Sequence, residues 1–264
     1  MFDETVQYPS SQIESLSSNE LLTLANSLQE VLHKDYPVFA AIPIRFNATA
    51  SFLGTAQFDD KGLSRKYSRA SVAKKLLHKL QKTSNVEVVG ALFTVETAAF
   101  DVDRLQHFIQ TAQLILEDLA DQLRVDKQYL MQYPVVVAAF VLLHEYGHIY
   151  DVLNNYSNNE LNEQAVIAAH GRFREDQQLG LSSLPIPGYA PSMLVELNEV
   201  GDLEALLEDN AERLATLGIH NPEKLIEAQS AAYIALPQEK IATQFAVTLL
   251  EKHWDDLGLP ARPK

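Results

Sequence analysis

The stretch "VVVAAFVLLHEYGHIYDVL", Val135 to Leu153, sets two histidines and a glutamate inside the most apolar part of an acidic chain. On a helix, His144 and His148 lie one turn apart on a single face, so both imidazoles can point at one ion. Glu145 follows about 100° around the axis, where its carboxylate stands beside that ion and can take a proton from a bound water. The bland alternative is a core helix with two satisfied histidines and a paired glutamate. Burying three titratable groups on one apolar helix is costly unless something unites them, and an ion would do so.

The five letters H-E-x-x-H arise by chance in something on the order of one chain in a hundred, so their surroundings decide. Val141, Leu142 and Leu143 precede the motif, Tyr146 and Gly147 fill it, and Ile149 and Tyr150 follow; none is charged. In the HExxH mechanism zinc lowers the pKa of a water to about 7 and polarises a scissile carbonyl, while the glutamate acts as base and then proton carrier. On these residues the chain resembles the zincin metallopeptidases. The resemblance implies His144 and His148 as metal ligands, Glu145 as catalytic base, Zn2+ as cofactor, and a peptide or protein as substrate.

The third ligand separates the branches. Metzincins continue as HExxHxxGxxH, but here Asp151 and Asn154 hold the glycine and final histidine positions. Gluzincins take a glutamate from a later helix, often within an ExxA pattern, and three segments compete. "NELNEQAVIAAH" offers Glu163 soon after the motif, with Val166 in the alanine position; "EDNAERLA" offers Glu208 with Ala211 correctly placed, inside an acidic run; "EKIATQFAVTLL" offers Glu239. The last, in its ExxAxxFAxxLL form, resembles the ligand helix of ImmA/IrrE-type metallopeptidases, and its long spacing is tolerated in HtpX-like ones. That resemblance favours Glu239, whose helix carries small alanines that permit close packing. His170, His220, Tyr156, Tyr189 and Tyr233 are all candidates for the proton donor that many zincins place opposite the zinc, and no spacing selects among them.

The elements that must position these groups follow from local patterns. Pro134 is tolerated in a first helical turn and opens the motif helix. Ser17 and Glu20 form a capping box at the start of "SSNELLTLANSLQEVLHK". From Pro43, Ile44, Phe46 and Ala48 alternate with polar residues, and "SFLGTAQFDDKG" carries a turn, so strands are expected. "VEVVGALFTVET", Val86 to Thr97, is short and β-branched and reads as another strand; it is also the candidate for the zincin strand that holds extended substrate by its edge. "SRASVAKKLLHKLQK" reads as a helix between them. From Asp103 the chain reads as helical, with Leu105, Phe108, Ala112, Ile115, Leu119 and Leu123 tracing one face. Further helices are expected at about Asn159–Gln177, Asp202–Leu217, Pro222–Ala235 and Gln238–Asp256. Gly218 ends one, Asn221 and Pro222 start the next, and Gly180 to Pro191 is a loop.

The fold class expected is α+β and mostly helical, zincin-like, with a small N-terminal sheet and a helical C-terminal part. Residues 1–16 read as a flexible arm and 17–264 as a single domain, β-containing over about 38–100 and helical over about 101–258.

Composition narrows the partners. With 35 Asp and Glu against 21 Lys and Arg, the formal charge is −14, which argues against nucleic acid and anionic membranes. The one contrast is the acid-free segment 61–82, with Lys61, Arg65, Lys66, Arg69, Lys74, Lys75, Lys79 and Lys82: a docking surface for an acidic partner or for nucleic acid, or a solvated helix face. No cysteine occurs, so any transition metal falls to histidines and carboxylates. The fully apolar run of nine residues from Val135 to Leu143 is short of the roughly 20 that span a bilayer, which points to a core helix. The start lacks the layout of a secretory signal, and a cytoplasmic location is expected. A zincin-like metal-binding regulatory module without general protease activity is the rival functional expectation.

Overall fold

Ser17 opens helix α1 (Ser18–Asp35) through its capping box, with Ser17 N–H donating to Glu20 Oε2 at 2.9 Å and Glu20 N–H to Ser17 Oγ at 3.3 Å. This computed structural model describes residues 15–47, 53–68, 84–98, 100 and 113–262. Strands β1 (Ile44–Phe46) and β2 (Gly54–Phe58) come next, then α2 (Gly62–Ser68), α3 (Asn85–Leu92) and β3 (Phe93–Thr97). The protein is α+β, mostly helical with one small three-stranded sheet.

The segment Val86 to Thr97 is therefore not one strand. Ser84 caps α3, and Glu87 closes a second capping box, which places Val88, Val89 and Leu92 on a buried helical face. The cap and that face outweigh the β-branched propensity of the valines, and the strand begins only at Phe93. In the sheet β3 is central: β1 pairs with it in parallel (Ile44 with Val95), and β2 antiparallel (Ala56 with Val95). The expected substrate-edge strand thus has no free edge. Among the described residues, the strand edge beside the motif helix that no other strand pairs with belongs to β2.

The remainder is helical: α4 (Gln113–Leu123), α5 (Lys127–Gln132), α6 (Pro134–Asp151) with a π turn over Val152–Tyr156, and α7 (Glu163–Ser182). There follow α8 (Pro191–Val200), α9 (Leu203–Asp209), α10 (Ala211–Thr216), α11 (Pro222–Ile234) and α12 (Pro237–His253). Three expectations are corrected. The loop after Gly180 begins only after Ser182, Pro191 starts an unforeseen helix, and Asp202–Leu217 is two short helices broken at Asn210. Asn221 caps α11 with Pro222 in its first turn, as its sequence indicates. The expected "SRASVAKKLLHKLQK" helix beyond Ser68, the residues Ala48, Leu105, Phe108 and Ala112, and the arm up to residue 14 lie outside the described residues.

Helix α6 is the axis of the larger core. Val136 to Leu143 are buried without interruption, and Leu28, Val89, Val95, Leu119 and Leu250 pack in the same cluster. The run 134–156 is long and apolar enough to cross a membrane by length and composition, yet 67% of its apolar window is buried inside the protein, which fits a core helix. A second, smaller cluster of Ile186, Leu194, Leu203, Leu214, Ile219 and Leu225 holds α8 to α11 together. Buried Gln229 pins the 183–190 loop to α11 by bonding Ile186 N–H and the carbonyls of Ile186 and Tyr189.

Candidate metal centre

Helix α6 supplies two of the three groups at the site, and α12 supplies the third. The helices meet where Gly147 faces Ala242: a Cβ built on Gly147 would lie 2.6 Å from Ala242 Cα and 2.7 Å from its carbonyl oxygen. Only backbone fits there. This approach carries Glu239, one turn before Ala242, over the two imidazoles. His144 Nε2 is 3.2 Å from Glu239 Oε2, and His148 Nε2 is 3.8 Å from Oε1. Ligand atoms from the three residues all lie within 4.8 Å of one another.

These separations fit a metal ion. Two ligands bound to one zinc at 2.0–2.1 Å in tetrahedral geometry stand about 3.3 Å apart. His144, His148 and Glu239 could therefore hold a cation, and three protein ligands leave a position open, as catalytic zinc sites do. Glu163, half-buried in the first turn of α7, and Glu208, exposed near the end of α9, are not in the group.

The electrostatics fit the same assignment. Burial opposes charge on His144, but the hydrogen bond and charge of Glu239 overcome it and raise the imidazole pKa. Burial would raise Glu239, yet His144, His148 and the Tyr233 hydroxyl hold it below the usual carboxylate range. His148, mainly through burial, is pushed down to about 4, which leaves it neutral with a lone pair to donate.

Glu145 stands beside the group. Burial, aided by the charge of Glu239, pushes its carboxyl up to about 7. Its Oε2 accepts the Ala56 N–H of β2 at 2.7 Å. Gly54 makes that approach possible, since a Cβ there would sit 2.6 Å from Val141 Cγ1 and 3.2 Å from Glu145 Cγ. Leu53 O accepts from Ala98 N–H, and Asp59 N–H donates to Leu92 O; by antiparallel alternation, the backbone groups of Gly54, Ala56 and Phe58 face outward from the sheet. The strand that lies against Glu145 is thus β2, and the glycine that opens "GTAQF" permits its close approach.

Two cavities meet at the site. The larger, about 1080 Å³, is walled by Leu53, Phe140, Val141, Met193 and Ile234. The smaller, about 420 Å³, follows β2 from Gly54 to Phe58 and reaches His170 and Arg174. Glu145, Tyr233 and Glu239 line both. Among the five proton-donor candidates, Tyr233 is therefore the one at the junction; burial and the neighbouring Glu239 push its phenol well above the ordinary range, so it keeps its proton. His170 stacks on Phe58 with ring centroids 3.7 Å apart and is pushed down to about 4 by burial and Arg174. Tyr156 donates instead to Asp176 at 2.9 Å, Tyr189 packs on the smaller core cluster, and His220 is exposed.

Among the described residues of the basic segment, Lys61, Arg65 and Lys66, none lines the site. Arg65 pairs with Asp59 at 2.7 Å, and Arg69, Lys74, Lys75, Lys79 and Lys82 lie outside the described residues. Compared with known protein families, with curated proteins and with solved structures, the chain matches none.

Proposed function

We propose that the protein is a zinc-dependent peptidase that hydrolyses a peptide bond held along the β2 edge. The observation that supports this best is the convergence of His144, His148 and Glu239 on one point, with the Glu145 carboxyl beside it at a pKa of about 7. His144 and His148 supply nitrogen ligands and Glu239 an oxygen, a donor set suited to catalytic zinc. When bound, zinc supplies Lewis acidity that activates water and polarises the substrate carbonyl.

The chain's own residues supply the rest. The Glu145 carboxyl, buried against the site and raised in the metal-free protein by that burial, is placed to accept a proton and pass it on. Tyr233 stays protonated and lines the junction of the two cavities, so its hydroxyl can donate to an oxygen that gains negative charge. The outward backbone groups of Gly54 and Phe58, with the Ala56 carbonyl, can pair with an extended peptide as an added strand. Glu145 already accepts the Ala56 N–H, so its carboxylate lies against the path of that peptide.

Purified protein reconstituted with zinc should hold about one ion per chain, and His144→Ala should abolish it. Glu145→Gln should retain the ion and lose hydrolysis of an unfolded protein substrate such as casein. Wild type that binds no zinc ends this reading. Wild type that binds zinc but gives the same cleavage products as Glu145→Gln points instead to a metal-binding regulatory module.

A further inference from the structure

We propose that Asp151 is a positioning residue for the metal, accepting the Nδ1 proton of His148 and so fixing the tautomer and tilt of that ligand. The inference rests on the metal site proposed above. Both imidazoles turn Nε2 toward Glu239, so both Nδ1 atoms face away from it. An imidazole that binds a cation through Nε2 carries its proton on Nδ1, and that N–H requires an acceptor. For His144 the position is met by Thr243 Oγ1 at 3.4 Å, on the same helix as Glu239.

For His148 the Nδ1 atom is buried and has no hydrogen-bond partner. One turn further along α6, Asp151 is 1% exposed, and its Oδ2 is likewise buried and unpartnered. Residues three apart share a helix face. The other oxygen, Oδ1, accepts from Asn155 Nδ2 at 2.7 Å, which anchors the carboxylate to the π turn. A purely structural role in that turn employs only Oδ1. It leaves a buried carboxylate oxygen without compensation, and such a group is costly. The two orphaned atoms are not bonded to each other in this structure, but they lie one turn apart on one helix face, and as donor and acceptor they complement each other.

Among the described residues one other buried side-chain atom is without a partner, Gln238 Oε1. It is the competing acceptor. Its amide is uncharged and already donates through Nε2 to the Tyr156 hydroxyl at 3.4 Å; a carboxylate accepts the stronger bond from an imidazole polarised by a cation. Asp151 occupies the position where the metzincin pattern has glycine, so its carboxylate is not a feature of that pattern.

The test pairs Asp151→Asn with Gln238→Ala and reads zinc affinity by chelator competition, the visible spectrum of the cobalt-substituted protein, and the urea midpoint of the metal-free protein. Asparagine keeps the shape and can still bond Asn155. Asp151→Asn should weaken zinc binding about 10–100-fold, as loss of an outer carboxylate does, while Gln238→Ala should change it by less than about twofold. The cobalt bands should move in Asp151→Asn, and its metal-free midpoint should match or exceed wild type, since a buried charge has been removed. Zinc affinity and cobalt bands equal to wild type overturn the assignment, as does an affinity loss confined to Gln238→Ala. A lowered metal-free midpoint with unchanged affinity also overturns it, because Asp151 then serves the π turn alone. Wild type that fails to bind zinc refutes the metal site itself, a separate outcome.

Discussion

Substituting Gly147 with alanine tests the contact on which the whole site depends. The new methyl would sit 2.6 Å from Ala242 Cα, 2.7 Å from its oxygen and 3.1 Å from its carbonyl carbon. Carbon atoms settle at 3.5–4.0 Å, so the shortfall is about 1 Å, and because the obstacle is backbone the helix itself must move. Overpacking of this kind costs about 1–3 kcal/mol; replacing a helical glycine by alanine returns about 1 kcal/mol of propensity. The net loss of stability is then only about 0–2 kcal/mol, which a urea midpoint reads with little power to discriminate. Metal affinity discriminates far better. Ligand distances tolerate about 0.2 Å, and Glu239 rides on the displaced helix one turn from Ala242. Its withdrawal should cost more than the roughly 10–100-fold that loss of an outer partner costs. Gly171→Ala is the control, because a Cβ there meets nothing within 4 Å and α7 should simply gain about 1 kcal/mol. Zinc competition and urea titration on both variants decide the matter: if Gly147→Ala binds zinc as tightly as Gly171→Ala, close approach of α6 and α12 does not position Glu239.

Three further perturbations probe other parts of the site. Because Glu145 is raised to about 7 from 4.5, the folded metal-free protein holds a proton there that the unfolded chain releases; its contribution is present below about pH 4.5 and is lost as pH rises through about 7. The stability of metal-free Glu145→Gln relative to wild type should therefore rise by at most about 3 kcal/mol between those limits, and a pH-independent difference in urea unfolding would refute the shift. Tyr233→Phe should keep its zinc and lower kcat on the order of 10²-fold with little change in KM; full activity would remove Tyr233 from the reaction. His253 is 3% exposed and lies 2.9 Å from both Asp35 Oδ2 and Asp256 Oδ2, tying the end of α12 to the end of α1. His253→Ala should cost about 2–3 kcal/mol by chemical denaturation with zinc affinity unchanged, and an unaltered midpoint would show that the tie adds nothing.

Sequence alone reveals the parts of this protein set by neighbours in the chain. The caps at Ser17 and Asn221, the proline entry at Pro134 and the apolar run before His144 are local signals, and each element follows. The strand expectation over Val86 to Thr97 went astray because its valines favour strands in isolation, whereas Ser84 and Glu87, just outside and inside that window, specify a helix start. The edge strand was hidden for another reason. Which strand lies outermost depends on pairing between segments far apart in sequence, and no pattern within "VEVVGALFTVET" or "GTAQF" encodes it.

The same distinction explains why the motif alone pairs His144 with His148, while only a resemblance favours Glu239 over Glu163 and Glu208. The spacing of the histidines is guaranteed by one helix, whatever surrounds it. The arrival of a glutamate from another helix is a property of the distance between two backbones, and that distance is set by residues that carry no chemistry. Gly147 inside the motif and Ala242 beyond Glu239 remove the side chains that would hold the helices apart. Gly54 does the same for β2 against α6, and so brings a backbone N–H to Glu145. The residues with the least side chain thus decide which carboxylate meets the imidazoles, and the "HEYGH" glycine is as much part of the site as the groups on either side of it.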